Sequence, residues 1–545
     1  MGLFKITIGE LLDNISSKFP THLALVDISK GVKFTYQEFQ NLVNSLAKGF
    51  LKMGLEKGDH VALWSPNRWE WVVTQFALTK IGAVLVSVDI HTQLKQLEYL
   101  LKQSDSKCMV LTEGLKGSEY IEMIHQLCPE VSQSDAGKFN CSLLPELKHL
   151  VLISNKKMKG IWNWTEVLES GKGIANHLFI ERQRSNHYED VVTLLYTSGT
   201  TGVPKGVMST HLGVINTTLA SAENQGLTEK DKLCLSVPLS HMFGCICITL
   251  ASVIKGATLV IPSETFDPKK ILEAIEKERC TAIYGSPSAF IALMEDPQYP
   301  TTDLKSLRKG IMGGAQCPME VMKKVVEEMG VREIVIGYGL TESSSWITET
   351  RPDDPLELRV STVGRPLPNV EVKMIDPKTG EEVPSGTIGE LCARGLNMKG
   401  YYKMTAATEK ALDREGWLHS GDLATMDEKG YVRMAGRLKE VIQKGRETIF
   451  PAEIEEILFT FPKISNAQVF GVPDKVLGEE IAVWVKLEEG ASYTEKEILE
   501  YLKERLPESY LPKYIKFVKD FPMTPLGKIQ KFKMREITSK EYGLE

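Results

Sequence analysis

The run Tyr196-Thr-Ser-Gly-Thr-Thr-Gly-Val-Pro-Lys-Gly-Val207 holds the chain's densest set of groups able to do chemistry. Thr197, Ser198, Gly199, Thr200, Thr201 and Gly202 offer hydroxyls and unshielded backbone N–H groups, and Lys205 adds a cation. Glycines let the backbone approach an oxyanion closely and hydroxyls add further donors, so the loop suits phosphate. It is not a Walker A loop, which needs Gly-Lys-Ser/Thr, because Lys205 follows Pro204 and precedes Gly206. A flexible surface loop could have the same composition. Gly337-Tyr-Gly-Leu-Thr-Glu342 follows an expected strand at 333–336, and ligands of open α/β sheets collect at the carboxyl ends of strands. Other candidates are silent in isolation. His241, in Pro238-Leu-Ser-His-Met-Phe-Gly244, reads as a core histidine. Asp422 reads as a turn residue, and Lys528, near Lys531 and Lys533, as a solvated lysine in a basic tail.

The elements that must position these residues follow an α/β rhythm. Thr35 and Glu38 form a capping box ahead of a helix to about Met53, which Gly54 stops. A strand at 61–64, a helix started by Asn67 and an apolar strand at 83–88 come next. The pattern returns as helix 269–279, strand 281–284, helix 319–329 and strand 333–336. Short apolar runs between amphipathic helices predict parallel strands with helical crossovers. The Gly- and Pro-rich stretch 360–436 predicts a β-rich layer, with strands at 370–375, 389–393 and 431–434. Beyond it, helix 452–461, strands 467–470 and 481–487, helix 494–506 and strand 514–518 make a small second domain.

A length of 545 residues exceeds the roughly 250–300 at which one core stops growing, so more than one domain is expected. With 42% hydrophobic and 25% charged residues and a net charge of −6, the composition is that of a globular chain without the positive field that draws nucleic acid. Nine scattered cysteines without a CxxC pair predict reduced thiols and a cytoplasmic location. The N-terminus lacks a signal-peptide layout, and Ile6 stands where a myristoylation motif wants Ser or Thr. The apolar stretch 245–254 is too short to span a bilayer and reads as a buried helix, Cys245 and Cys247 being packing residues.

Six motifs in register make the chain resemble the acyl-adenylate-forming superfamily, which includes acyl-CoA synthetases, peptide-synthetase adenylation domains and luciferases. The resemblance covers nearly the whole chain and is greatest to fatty-acyl and medium-chain acyl-CoA synthetases. It implies an adenylation domain over 1–437 and a mobile domain over 438–545. It assigns the Thr197–Lys205 loop to ATP phosphates, and His241 to the incoming carboxylate. Gly313-Gly314-Ala315 becomes the wall between adenine and acyl channel. Within 337–342, Gly337, Tyr338 and Gly339 receive adenine, Thr341 the α-phosphate and Glu342 Mg²⁺. Asp422 and Arg437 become the ribose clamp, Lys439 the interdomain pivot and Lys528 the catalytic lysine. The implied reaction turns a carboxylic acid and ATP into an acyl-adenylate, then hands the acyl group to coenzyme A. The implied assembly is a monomer or homodimer.

Two positions depart from the family pattern or mark the substrate. Arg446 stands where many relatives carry a glycine lining the thiol tunnel, and would narrow the tunnel or bind a CoA phosphate. Trp346, behind Glu342, would shorten the acyl pocket or pack against an aromatic or medium-chain acid. Three other activities share the motifs: loading a carrier protein, a luciferase-like oxidation, and non-catalytic nucleotide binding. The joint presence of Lys528, Glu342 and Asp422 argues against the last.

Overall fold

The computed structural model describes residues 2–115, 119–197, 203–315, 317, 319–445, 447–523 and 529–544. The chain divides into a larger unit, Met1–Glu371 with Ala393–Leu418, and a smaller one, Val372–Cys392 with His419–Glu545.

Two sheets build the larger unit. One has seven strands, in the order Trp162–Asn163, His149–Leu152, Ser106–Leu111, His60–Trp64, Val84–Ser87, Val191–Thr197 and Lys205–Thr210. The other has nine, in the order Arg365–Pro366, Thr348–Glu349, Glu333–Tyr338, Lys309–Gly313, Ala282–Gly285, Lys232–Leu235, Thr258–Ile261, Leu23–Asp27 and Val32–Thr35. The central pairs of both are parallel, as helical crossovers require. One continuous apolar core draws Val61, Leu63 and Leu85 from the first sheet and Leu235, Tyr284, Ile311 and Val335 from the second.

Local sequence explains the elements. Thr35 caps helix Tyr36–Lys52 by accepting from Glu38 N, and the Glu38 carboxylate accepts from Thr35 N at 2.8 Å. Helix Trp69–Ile81 is buried from Glu70 to Ile81, which accounts for its lack of a polar face. Its start corrects one expectation: Arg68, not Asn67, occupies the cap position, and no side chain caps it. Asn67 is used elsewhere, accepting from Leu239 N at 2.8 Å and donating to Val237 O at 3.2 Å. A second difference concerns 245–254. The helix begins as a π-helical stretch, Phe243–Ile248, and becomes α-helical at Thr249–Lys255. Thr249 Oγ1 donates to Gly244 O at 2.7 Å across that wide turn. Among the described residues no helix is long and apolar enough to cross a membrane.

The smaller unit holds most of a four-stranded sheet of Glu371–Ile375, Gly389–Arg394, Leu418–Met426 and Val432–Arg437, of which Glu371, Ala393, Arg394 and Leu418 fall in the larger unit. It also holds a five-stranded sheet in which Gly478–Leu487 lies between Ile464–Asp474 and Tyr514–Phe517. The division between the units falls inside the β-rich layer, because helix Pro451–Phe459 packs on strand Val432–Arg437. Lys531 is no part of a solvated tail. Its ammonium is 2.7 Å from Glu455 Oε1 and 3.7 Å from Glu440 Oε2, and these two carboxylates raise its pKa against the effect of burial.

Candidate active site

Three of the sequence motifs leave the carboxyl ends of neighbouring parallel strands in the nine-stranded sheet. Gly313 pairs with Gly337, Gly285 with Met312, and Leu235 with Tyr284. The Gly313–Ala315 turn and the 337–342 segment therefore emerge side by side, and the His241 segment follows beyond the intervening strand Ala282–Gly285, at the strand ends where ligands of open α/β sheets collect.

The glycines here are explained by what touches them. A Cβ on Gly337 would stand 2.8 Å from Trp346 Cζ3, and one on Gly313 2.8 Å from Gly337 O and 3.6 Å from the Trp346 ring. A Cβ on Gly339 would overlap the Ser345 carbonyl. The flat group lying on this glycine wall is thus the chain's own indole. Trp346 is buried, its Nε1 has no hydrogen-bond partner, and its ring meets Phe243 edge-on at 5.5 Å and 88°. Gly314 turns the chain with φ +80°, a conformation that side chains other than glycine resist. Across the strand from Gly337, buried Glu349 accepts from Ser221 and from Asn224, and burial pushes its carboxyl up to about 7.

Glu342 lies in a short 3₁₀ turn, Thr341–Ser343, directly after strand Glu333–Tyr338. Tyr401 O–H donates to Glu342 Oε1 at 2.9 Å, and Met398 N donates to Glu342 O at 2.8 Å. Burial and the neighbouring Glu342 charge drive the Tyr401 phenol far above its ordinary pKa, so it stays a donor. Lys205 Nζ stands 4.9 Å from the centroid of the same tyrosine ring. The segment is pinned to the hairpin by Met208 N to Gly400 O (3.0 Å) and Tyr402 N to Gly206 O (2.9 Å). Thr197 and Lys205 are opposed at the end of that hairpin. A lysine from one sheet and a carboxylate from the other thus meet at one tyrosine, the lysine over its ring and the carboxylate at its hydroxyl. Tyr401 was missed in the sequence, where Gly400-Tyr-Tyr402 is one more aromatic pair after a glycine.

His241 is held on a rigid platform. Ser87 Oγ donates to Ser240 O at 2.6 Å, and Asn67 clamps the backbone at Val237 and Leu239. His241 Nδ1 accepts from Phe243 N at 3.1 Å, which puts the proton of the neutral ring on Nε2. The ring is then a donor at Nε2.

In the smaller unit Asp422 and Arg437 face each other in register, with Arg437 Nε 3.2 Å from Asp422 Oδ1. Asp422 is buried, and Gly421, at φ +69°, precedes it within the same strand, its N–H bonded to Glu390 Oε1 at 3.0 Å. Lys439 follows in the turn Leu438–Glu440, its pKa lowered by burial and then by Arg437. Ser198, Gly199, Thr200, Thr201, Gly202, Arg446 and Lys528 lie outside the described residues.

A hard cation needs oxygen ligands, and one oriented carboxylate beside a lysine suits a magnesium-bound phosphate chain. Comparison with known proteins places the chain in a family. The family described as AMP-binding enzyme matches residues 12–402, and its C-terminal domain family matches 453–528. The chain is 45% identical over 543 residues to a Bacillus subtilis protein named as acyl-CoA synthetase YngI, covering 99% of both chains. It is 37% identical to the mitochondrial medium-chain acyl-CoA ligase ACSF2 of Danio rerio, covering 99% of this chain and 89% of that one. Among solved structures, ATP-bound MatB from Rhodopseudomonas palustris superposes with a TM-score of 0.84 at 25% identity, over 98% of this chain and 100% of that one. The two domain matches, running in order along the chain, and the full-length relatives lead to one conclusion: the chain belongs to the AMP-binding enzyme family, in its acyl-CoA synthetase branch.

Proposed function

We propose that this chain is a medium-chain or aryl acid–CoA ligase working through an acyl-adenylate. The observation that carries the reading is the Lys205–Tyr401–Glu342 arrangement beside the carboxyl ends of parallel strands. Lys205 and the Thr197–Gly202 loop bind the phosphates of ATP, and Tyr338 and the Gly314–Ala315 turn receive adenine. Asp422 accepts from the ribose hydroxyls, with Arg437 holding that carboxylate in place. Glu342 would hold Mg²⁺, whose charge neutralises the triphosphate.

In the first step a carboxylate oxygen attacks the α-phosphorus, the bond to the leaving pyrophosphate breaks, and acyl-adenylate forms. Thr341 and Lys528 bear on the charge that builds at the α-phosphate, where a preorganised cation acts most strongly. His241, donating from Nε2, orients the acid. Rotation at Lys439 of the C-terminal part, 438–545, against 1–437 withdraws Lys528 and admits coenzyme A. The thiol sulfur attacks the acyl carbonyl, its proton passes to solvent, and AMP leaves. Nine free thiols agree with a reducing, cytoplasmic setting.

Pyrophosphate release across a panel of acids, measured with and without coenzyme A, tests the reading. Medium-chain or aryl acids are expected to give AMP and a CoA thioester. Transfer only to a holo-carrier protein, or no pyrophosphate from any acid, would overturn it. Tyr401 gives a finer check. Tyr401→Phe keeps the ring under Lys205 and removes only the bond to Glu342, so the Mg²⁺ concentration needed for half-maximal adenylation should rise about tenfold. The KM for the acid should stay within about twofold, since the deleted hydrogen bond holds a metal ligand and does not reach the acid.

A further inference from the structure

Away from the nucleotide residues, the larger unit holds a second cluster of metal-ligating side chains. Cys128 closes helix Tyr120–Leu127, Glu130 lies in the following 3₁₀ turn Pro129–Gln133, and Cys141 returns beside them before strand His149–Leu152. Both sulfurs and a Glu130 carboxylate oxygen lie within 4.8 Å of one another. Cys128 is fully buried and Cys141 is 2% exposed. Glu130 Oε1 is fixed by Ser142, which donates from N at 3.2 Å and from Oγ at 2.9 Å. Glu130 Oε2 is buried and lacks a hydrogen-bond partner. The carboxylate is thus oriented by Ser142, and its other side-chain neighbour is the Cys128 thiol. Cys141 Sγ donates to the Leu127 carbonyl at 3.4 Å, which brings a further oxygen next to the set.

A comparable group in the smaller unit shows what a satisfied cluster looks like. Around Glu390, Cys392 and His419 both carboxylate oxygens are engaged, by Gly421 N at 3.0 Å and by His419 Nδ1 at 3.1 Å.

We propose that Cys128, Glu130 and Cys141 form a structural zinc site, with the Leu127 carbonyl or a water as fourth ligand. Two thiolates favour a borderline-soft ion over magnesium or calcium, and the carboxylate favours zinc over copper(I). Tetrahedral zinc sets its sulfur and oxygen ligands about 3.3–3.8 Å apart, so the side chains need only close slightly around it. Binding takes one Zn²⁺, releases one proton from each thiol and changes no oxidation state. The ion would staple the 128–141 loop to the end of helix Tyr120–Leu127, cross-linking a segment that has no sheet partner of its own.

The test uses the full chain purified under reducing conditions, stripped with a chelator and titrated with zinc alone. Elemental analysis should find one tightly held zinc per chain, and cobalt(II) in its place should give the near-ultraviolet absorption of thiolate ligation. The Cys128→Ser/Cys141→Ser double variant should lose both signals. Glu130→Gln, at a half-buried position that leaves the core intact, should weaken zinc binding by at least about tenfold. No uptake at micromolar zinc, or uptake undiminished in both variants, would overturn the proposal. So would a Cys128–Cys141 disulfide in the freshly isolated chain, found by thiol alkylation.

Discussion

Replacing Lys528 with alanine should lower pyrophosphate release from the best acid by about 100- to 1,000-fold, while thioester formation from supplied acyl-adenylate falls by less than about tenfold. The asymmetry follows from where charge develops. Attack on the α-phosphorus builds negative charge on the phosphoryl oxygens, which a lysine ammonium stabilises without reorganisation. Attack of the thiol builds charge on the acyl carbonyl instead, after the proposed rotation at Lys439 has moved Lys528 away. Because both half-reactions are measured on the same variant, a fold defect would depress them together and is distinguishable. Equal loss in both would show that Lys528 only supports the structure, and no loss in either would remove it from the site. Lys528→Arg keeps the charge on a bulkier, planar group and should restore only part of the first step.

Trp346→Ala should have the second-largest effect, on stability and specificity together. The indole is 5% exposed, lies on Gly313 and Gly337 and packs edge-on against Phe243. Removing a buried tryptophan leaves a cavity and costs about 3–5 kcal/mol. The cost should fall toward the lower end, because the indole N–H has no partner in the folded chain and its removal relieves that penalty. If the same space ends the acyl pocket, the variant should accept longer acids. Each added methylene that fills the vacated volume should raise kcat/KM by about fourfold, the equivalent of about 0.8 kcal/mol. Thermal unfolding and a chain-length profile check the two halves separately. A lower Tm with an unchanged profile would leave Trp346 as core only. Trp346→Phe should keep most of the stability and move the profile less.

Local structure was largely legible from the residues. The Thr35–Glu38 capping box and the alternation of apolar strand runs with amphipathic helices correspond to the elements found, to within a few residues at their ends. These signals are local: a cap or a period of apolar residues depends on neighbours three or four positions away. The exceptions are places where a distant partner outcompetes the local preference. Asn67 is a good cap residue by type, but its amide is engaged by Val237 and Leu239, 170 and 172 positions away. Lys531 looks solvated in a basic run, but Glu455 and Glu440 draw it into the interior.

The same division holds for the site. The types and order of the proposed site residues, from the Thr/Gly loop through Glu342 to Asp422, were legible in the sequence, because the groups proposed for them, phosphate, magnesium and ribose, each restrict which side chains can serve. Only the tertiary structure decided how the residues are oriented. It showed that Lys205 and Glu342 both contact Tyr401, that Nδ1 of His241 is already an acceptor, and that the glycine wall is covered by Trp346. The reason is that orientation depends on packing between sheets that fold from separate stretches of chain. A hydrogen bond such as Tyr401 to Glu342, 59 positions apart, carries no periodic or compositional trace in the sequence.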